Sequence, residues 1–237
     1  AICRDFLKHP AKSRTALHDL LVEMLRRLET ASRRSFAGPR KPLLVSVRSG
    51  APVSMPGMMD TLLNIGLCDA TVHGLIRLTG NPRLAWDSYR RLVQQFAEVV
   101  HGAQAAPFHA AIEAALREAK VDNARELDFR QLAQLTREFL ALFREATGQP
   151  FPQDPQEQVE AAIAAVFASW NSERAVEYRR LNDLPDSLGT AVTVQRMVFG
   201  NAGGASGSGV AFTRDPAGGD NRLYGDCLFN SQGEDVV

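Results

Sequence analysis

The sequence predicts an α+β fold, and three observations predict it. From Ser13 to Leu181 apolar residues recur mainly at helical spacing. A β-rich apolar run, Leu43-Leu44-Val45-Ser46-Val47, interrupts them early. Beyond Gly189 the texture changes to short alternating segments separated by glycines. The N-terminal two-thirds is therefore helix-rich, and the C-terminal part consists of strands and glycine loops.

Leu17, Leu20, Leu21, Met24, Leu25 and Leu28 form one face of a helix predicted over 13–36, with Arg26, Arg27, Arg33 and Arg34 on its solvated side. Gly38-Pro39 breaks it, and the buried strand at 43–47 follows. Residues 48–61 hold two prolines and two glycines without a clean period, so they read as a loop. That loop also carries Val53, Met55, Met58 and Met59, which argues that it packs against something. Helices are expected over 72–78, from Asn81-Pro82 through Val100, over 108–120 and over 127–147. Gly148-Gln149-Pro150-Phe151-Pro152 is a stop. Asp154-Pro155 then supplies an N-cap and a first-turn proline for a helix ending near Trp170, and 174–181 continues helically. Thr190–Phe199 alternates with Val192, Val194 and Val198 on one side, and 210–213 and 223–229 are further strands.

The chain has 237 residues, of which 45% are hydrophobic, enough for a substantial core. Its 27 basic and 27 acidic residues cancel, which argues against a broad grip on nucleic acid or an anionic membrane. Cys3, Cys68 and Cys227 are odd in number and widely spaced, so neither a disulfide framework nor a zinc site is expected, and a reducing compartment is the simpler reading. No apolar run approaches the ~18 residues of a membrane span. Ala1 is neither an initiator Met nor the start of a signal-peptide pattern, and Val236-Val237 is not a polar tail. Both ends read as cut from a longer protein.

Gly200–Gly209 joins two predicted strands. It reads either as a hairpin linker needing positive φ values or as a phosphate cradle, with Ser206 and Ser208 as hydroxyl donors. It matches neither a P-loop nor a Rossmann fingerprint. Arg48 ends a buried strand, where a cation needs an anion: a structural carboxylate or a phosphate. Arg90-Arg91 and Arg179-Arg180 each place one guanidinium near an inner face. Glu234-Asp235 is a carboxylate pair able to hold Mg²⁺, or else a solvated turn. None of His9, His18, His73, His101 and His109 has metal-ligand spacing. His73, in Thr71-Val72-His73-Gly74, superficially suggests a phosphohistidine but reads as a residue of a surface helix.

Several of these segments occur together in one family. Leu43–Gly50 followed by Ser54-Met55-Pro56-Gly57-Met58-Met59-Asp60-Thr61 resembles the signature of the pyruvate, phosphate dikinases. So do Thr79-Gly80-Asn81-Pro82-Arg83 with Asp87-Ser88-Tyr89-Arg90-Arg91, Tyr178–Asp183, Met197–Asn201, Gly209–Pro216 and Gln232–Val237, in order along nearly the whole chain.

The resemblance implies an ATP-grasp nucleotide-binding domain. One ATP-grasp subdomain would span 1–67 with 154–199, a helical subdomain 68–153, and the start of a second ATP-grasp subdomain 200–237. It also implies a parent enzyme catalysing ATP + phosphate + pyruvate to AMP + pyrophosphate + phosphoenolpyruvate. The other domains of the same parent chain would carry a phosphorylatable histidine and the pyruvate/phosphoenolpyruvate site; the parent would be cytoplasmic and homodimeric. By motif, Arg48 would contact the nucleotide phosphates and Gly57 would line their end. Gly207, Ser208 and Gly209 would cover the triphosphate. The family usually has Thr where this chain has Ser208, so the hydroxyl stays and the stiffening methyl is lost. Gln195, Met197 and Val198 would lie near the adenine, and Lys120 falls where the family has a functional lysine. Arg91, Glu234 and Asp235 would handle inorganic phosphate and Mg²⁺, with Arg48 and Arg91 as the catalytic pair. The family's Gly-Gly-Lys-Gly and Gln-Thr-Arg segments are not among these residues, which implies that the 237 residues alone do not turn over. The alternative is a non-catalytic nucleotide-binding or interaction module derived from the same domain.

Overall fold

The computed structural model of the chain describes residues 2–233 and Val236. Its organising strand is β1 (Val45–Gly50), paired antiparallel with β2 (Thr61–Ile65) on one side and β3 (Ala191–Arg196) on the other. Strand alternation gives the two faces different chemistry. Val45 and Val47 are fully buried, as is Leu62 opposite Val47. Ser46 and Arg48 lie on the alternate face, opposite Gln195 and Thr193, and Arg48 also faces Thr61. Helix α7 (Pro155–Ala168) packs on all three strands and buries Val159, Ala162, Ile163 and Val166. Phe6 of α1 (Ile2–Lys8) meets Phe167 at 5.4 Å between ring centroids.

The helical part comprises α3 (Asp69–Thr79), α4 (Pro82–His101), α5 (Ala106–Ala119) and α6 (Phe129–Thr147). Its core is aromatic: Phe151 lies 5.5 Å from Phe96 and 5.4 Å from Phe143, and Phe108 lies 5.0 Å from Phe139. Such pairs add about 0.5–1.5 kcal/mol each beyond the area they bury. Helix starts follow the expected chemistry. Asn81 accepts from the Leu84 N–H at 3.0 Å and Asp154 from the Gln156 N–H at 2.9 Å, each followed by a first-turn proline. Gln95 of α4 ties this part to the sheet. Its Oε1 accepts from the Leu63 N–H at 2.8 Å and its Nε2 donates to the Thr61 carbonyl at 2.9 Å, satisfying the outer edge of β2.

Several boundaries differ from expectation. The first long helix is α2 (Pro10–Ser32), closed by Arg33 in the left-handed region, so 33–36 is not helical. Its apolar face is only partly covered: Leu17, Leu21 and Leu25 are buried, whereas Leu20 and Met24 stay exposed. The stretch 48–61 is not loop throughout. Residues 48–50 extend β1, and Thr61 opens β2, a strand too short to be announced by its own pattern. Val198 lies beyond the end of β3 and is 85% exposed, not part of an inward row. The glycine segment is not a hairpin either. β3 and the following β4 (Gly207–Phe212) belong to different sheets, and β4 pairs with β5 (Tyr224–Phe229). The loop at 51–60 does pack, as its methionines require. Met55 is buried with Trp170 and with Ala175 of α8 (Glu173–Leu181), and Asp60 pairs with Arg174. Among the described residues no helix is long and apolar enough to cross a membrane.

Helix α3 rests on the 38–42 segment so closely that a Cβ on Gly74 would overlap the Pro39 carbonyl, which already accepts from Arg77 Nη2 at 2.6 Å. Gly74→Ala is therefore expected to cost roughly 1–3 kcal/mol by overpacking, despite alanine's higher helix propensity. Thermal unfolding checks this: the expected result is a lower Tm, and an unchanged or raised Tm contradicts the packing described.

Candidate functional site

The polar face of the sheet opens into a pocket of about 500 Å³. Ser46 and Arg48 of β1, Thr61 and Leu63 of β2, and Gln195 of β3 form its floor, and Arg196 borders it. Met197, Val198 and Phe199 continue one wall, and Gly209, Val210, Gln232 and Gly233 form the opposite one. Arg48 is exposed and, among the described residues, meets no carboxylate. The burial expected of it is absent because it alternates with Val45 and Val47, the residues that turn inward. The pocket thus has the Arg48 guanidinium on its floor and an apolar lip at Met197 and Val198, whereas Arg196, paired with Val45, belongs to the other face of the sheet. Guanidinium forks match phosphate oxygens, and apolar side chains suit the face of a base. A larger hollow, about 760 Å³, lies between α2 and β3, but its walls are overwhelmingly apolar and offer few donors to a polyanion.

The glycines that border this pocket are needed for close approach. None of Gly200, Gly207 and Gly209 has positive φ. A Cβ on Gly200 would overlap Ser208 Oγ and the Ser231 carbonyl, and one on Gly209 would sit 2.8 Å from the Asp226 carbonyl. Gly209 faces the pocket. Gly207 instead lies against Leu228 of β5, and the Ser208 hydroxyl donates to the Ser231 carbonyl at 2.8 Å. In this arrangement the Ser208 proton is committed within the protein. Gly57 is the exposed third residue of a Met55–Met58 turn, where Pro56 precedes it, φ is 71° and the Met58 N–H donates to the Met55 carbonyl at 3.1 Å. It tips the β1–β2 connection whose base is the Arg48–Thr61 pair. Lys120 is exposed and caps α5 in the helical part, away from the walls of this pocket.

A second, more polar recess of about 340 Å³ shares Leu63 with the first. Arg90, Arg91 and Gln94 of α4 line it with Asn64. Asp87, one turn earlier, accepts from Arg90 Nη2 at 2.6 Å through Oδ1 and from Arg91 Nε at 3.0 Å through Oδ2. Asp87 and Arg90 are each 4% exposed. Burial is the largest single influence on the Asp87 carboxyl and opposes its ionisation. Arg90 and Arg91, with Arg83 behind them, together outweigh it and hold the group below the ordinary carboxylate range. Arg179, the inner member of the other arginine pair, is structural: it stacks over Trp170 at 4.2 Å and donates to Asp186 at 2.8 Å.

Residues 10–237 match the family described as pyruvate phosphate dikinase, AMP/ATP-binding domain. The chain belongs to the pyruvate, phosphate dikinase family. It is 46% identical over 236 residues to the pyruvate, phosphate dikinase of Clostridium symbiosum, which covers 99% of the chain and 27% of that protein. It is 46% identical over 235 residues to the chloroplastic pyruvate, phosphate dikinase 1 of Arabidopsis thaliana, covering 99% of the chain and 24% of that protein. The Entamoeba histolytica pyruvate, phosphate dikinase is 45% identical over 238 residues, covering 100% and 27%. The chain spans about a quarter of the length of these dikinases.

Of the residues singled out in the sequence, the structure brings Arg48, Gln195, Met197, Val198 and Gly209 to one pocket and Arg91 to the adjoining recess. Gly57, Lys120, Gly207 and Ser208 are not among those walls. Glu234 and Asp235 lie outside the described residues. Asp87 was missed, although its i, i+3 and i, i+4 spacing to Arg90 and Arg91 is the ordinary helical ion-pair pattern.

The depressed Asp87 carboxyl makes stability pH-dependent. Its contribution is complete above the unfolded value near ~3.9 and is lost as pH falls through the folded value. Thermal unfolding between pH 7 and pH 2 is expected to show a Tm that falls in acid, with a shallower acid limb in Asp87→Asn. Parallel acid limbs in the two proteins contradict this account of Asp87.

Proposed function

We propose that the chain is the MgATP-binding part of a pyruvate, phosphate dikinase. The observation that carries this reading is the pocket over Arg48: a strand-borne guanidinium beside an apolar lip made by half-buried Met197 and exposed Val198. Arg48 donates N–H groups to the nucleotide phosphates. Gln195, Met197 and Val198 hold the adenine, and Gly209 lets the β4 backbone approach the phosphates from above. Arg91, in the adjoining recess, takes inorganic phosphate. Catalysis in such a site is positioning and charge neutralisation, supplied by residues that are in place before the ligand arrives.

The donor set is compatible with Mg²⁺. Among the described residues no group of three or more His, Cys, Asp or Glu could hold a metal by itself. Mg²⁺ keeps its waters and binds through phosphates and one or two carboxylates. Glu234 and Asp235, next in sequence to the pocket residues Gln232 and Gly233, would supply those carboxylates, and the ion would neutralise phosphate charge. None of the five histidines lines the pocket. By the resemblance to the dikinases, the phosphoryl group is passed to a histidine of another domain of the parent enzyme, which completes ATP + phosphate + pyruvate to AMP + pyrophosphate + phosphoenolpyruvate. The 237 residues alone bind nucleotide without turning over.

Calorimetric titration of MgATP into the chain tests this. Binding is expected, and Arg48→Ala is expected to weaken it about 10- to 100-fold, the loss of one or two charge-assisted hydrogen bonds. MgATP binding that is indifferent to Arg48→Ala overturns the assignment of the pocket.

A further inference from the structure

We infer that Asp87 is a positioning residue, which fixes the Arg91 guanidinium in the wall of the smaller recess so that it can receive phosphate. The inference rests on the assignment of Arg91 to inorganic phosphate. Asp87 holds Arg91 through Nε, the inner nitrogen of the fork, at 3.0 Å. The carboxylate is itself immobilised. Its other oxygen is bound to Arg90, whose guanidinium lies over the Phe139 ring at 5.6 Å and is almost wholly buried. An arginine alone has several rotamers to lose on binding. One held at Nε by a buried, anchored carboxylate has lost most of them already.

Stability alone does not account for this arrangement. A buried Arg–Asp–Arg triad gains little over apolar residues of the same volume, because desolvation offsets the attraction. The recess also retains unspent polarity. Arg90 Nε and Asn64 Oδ1 are buried there with no hydrogen-bond partner among the described residues. Buried polar atoms are ordinarily satisfied, so the recess is built for a polar occupant. Glu98, also in its wall, is engaged by Gln94 Nε2 at 2.9 Å, which tempers its repulsion of an anion.

A double-mutant cycle tests the inference, read by calorimetric titration of inorganic phosphate into the MgATP-saturated chain and by Tm. Arg91→Ala is expected to weaken phosphate binding. Asp87→Asn is expected to weaken it about tenfold, the worth of a misdirected charge-assisted hydrogen bond. In the Arg91→Ala background Asp87→Asn is expected to have no further effect on phosphate affinity while still lowering Tm, because Arg90 is then left unpaired. That separation is what a merely structural role does not produce. If Asp87→Asn does not fold, Asp87→Asn/Arg90→Met removes the stranded buried cation and is read the same way. Should Arg91→Ala leave phosphate affinity unchanged, the assignment of Arg91 fails and the inference with it. Should Arg91→Ala weaken binding while Asp87→Asn does not, or should the two losses simply add, Asp87 does not act through Arg91 and the inference alone is overturned.

Discussion

The register of β1 is the constraint on which the rest depends. Val47 stands opposite Leu62 and Val194, and Arg48 stands opposite Thr61 and Thr193. A slip of one residue would send Arg48 into the core against α7 and turn Val47 outward. Burying an unpaired guanidinium costs several kcal/mol, so the hydrophobic face also determines where the cation must point. The same register puts Gln195 beside Ser46 and carries the chain out of β3 into the apolar lip at Met197 and Val198.

The second requirement is that α4 be held at a defined distance from that sheet. Gln95 clamps the outer edge of β2 through both backbone groups, and four residues earlier on the same helix Arg91 enters the recess behind Leu63. The aromatic cluster around Phe96, Phe143 and Phe151 then stiffens α4 from behind. A helical part that looks like scaffold in the sequence is therefore the part that carries Arg91 to the recess beside the sheet.

Much of this was legible in the sequence, where local chemistry and tertiary need agree. The helices were, because Asn81-Pro82, Gly148 and Asp154-Pro155 punctuate strong periodicity. The packing of the Met55–Met59 loop was, because an apolar loop must find a surface. β2 was not: five residues containing Asn64 carry no pattern of their own, and the strand exists because β1 and Gln95 satisfy its backbone. Exposure of Arg48 followed from strand parity with Val45 and Val47, yet a buried run invites the opposite reading. The glycines were recognised as special, but the reason is steric pressure from β5 and Ser231, which no local rule supplies. The meeting of Arg48, Gln195, Met197 and Val198 was expected only from the resemblance to the dikinases, since residues so far apart in sequence reveal no contact by spacing.

On this reading the polar face of the β1-centred sheet, not the larger apolar hollow beside α2, receives the nucleotide. Backbone amide hydrogen exchange with and without saturating MgATP distinguishes the two sites. The account predicts slowed exchange at 46–48, 195–199, 209–210 and 232–233, with 17–28 of α2 unchanged. Protection confined to α2 and its hollow, or no protection along β1 and β3 under conditions where MgATP is bound, would contradict it.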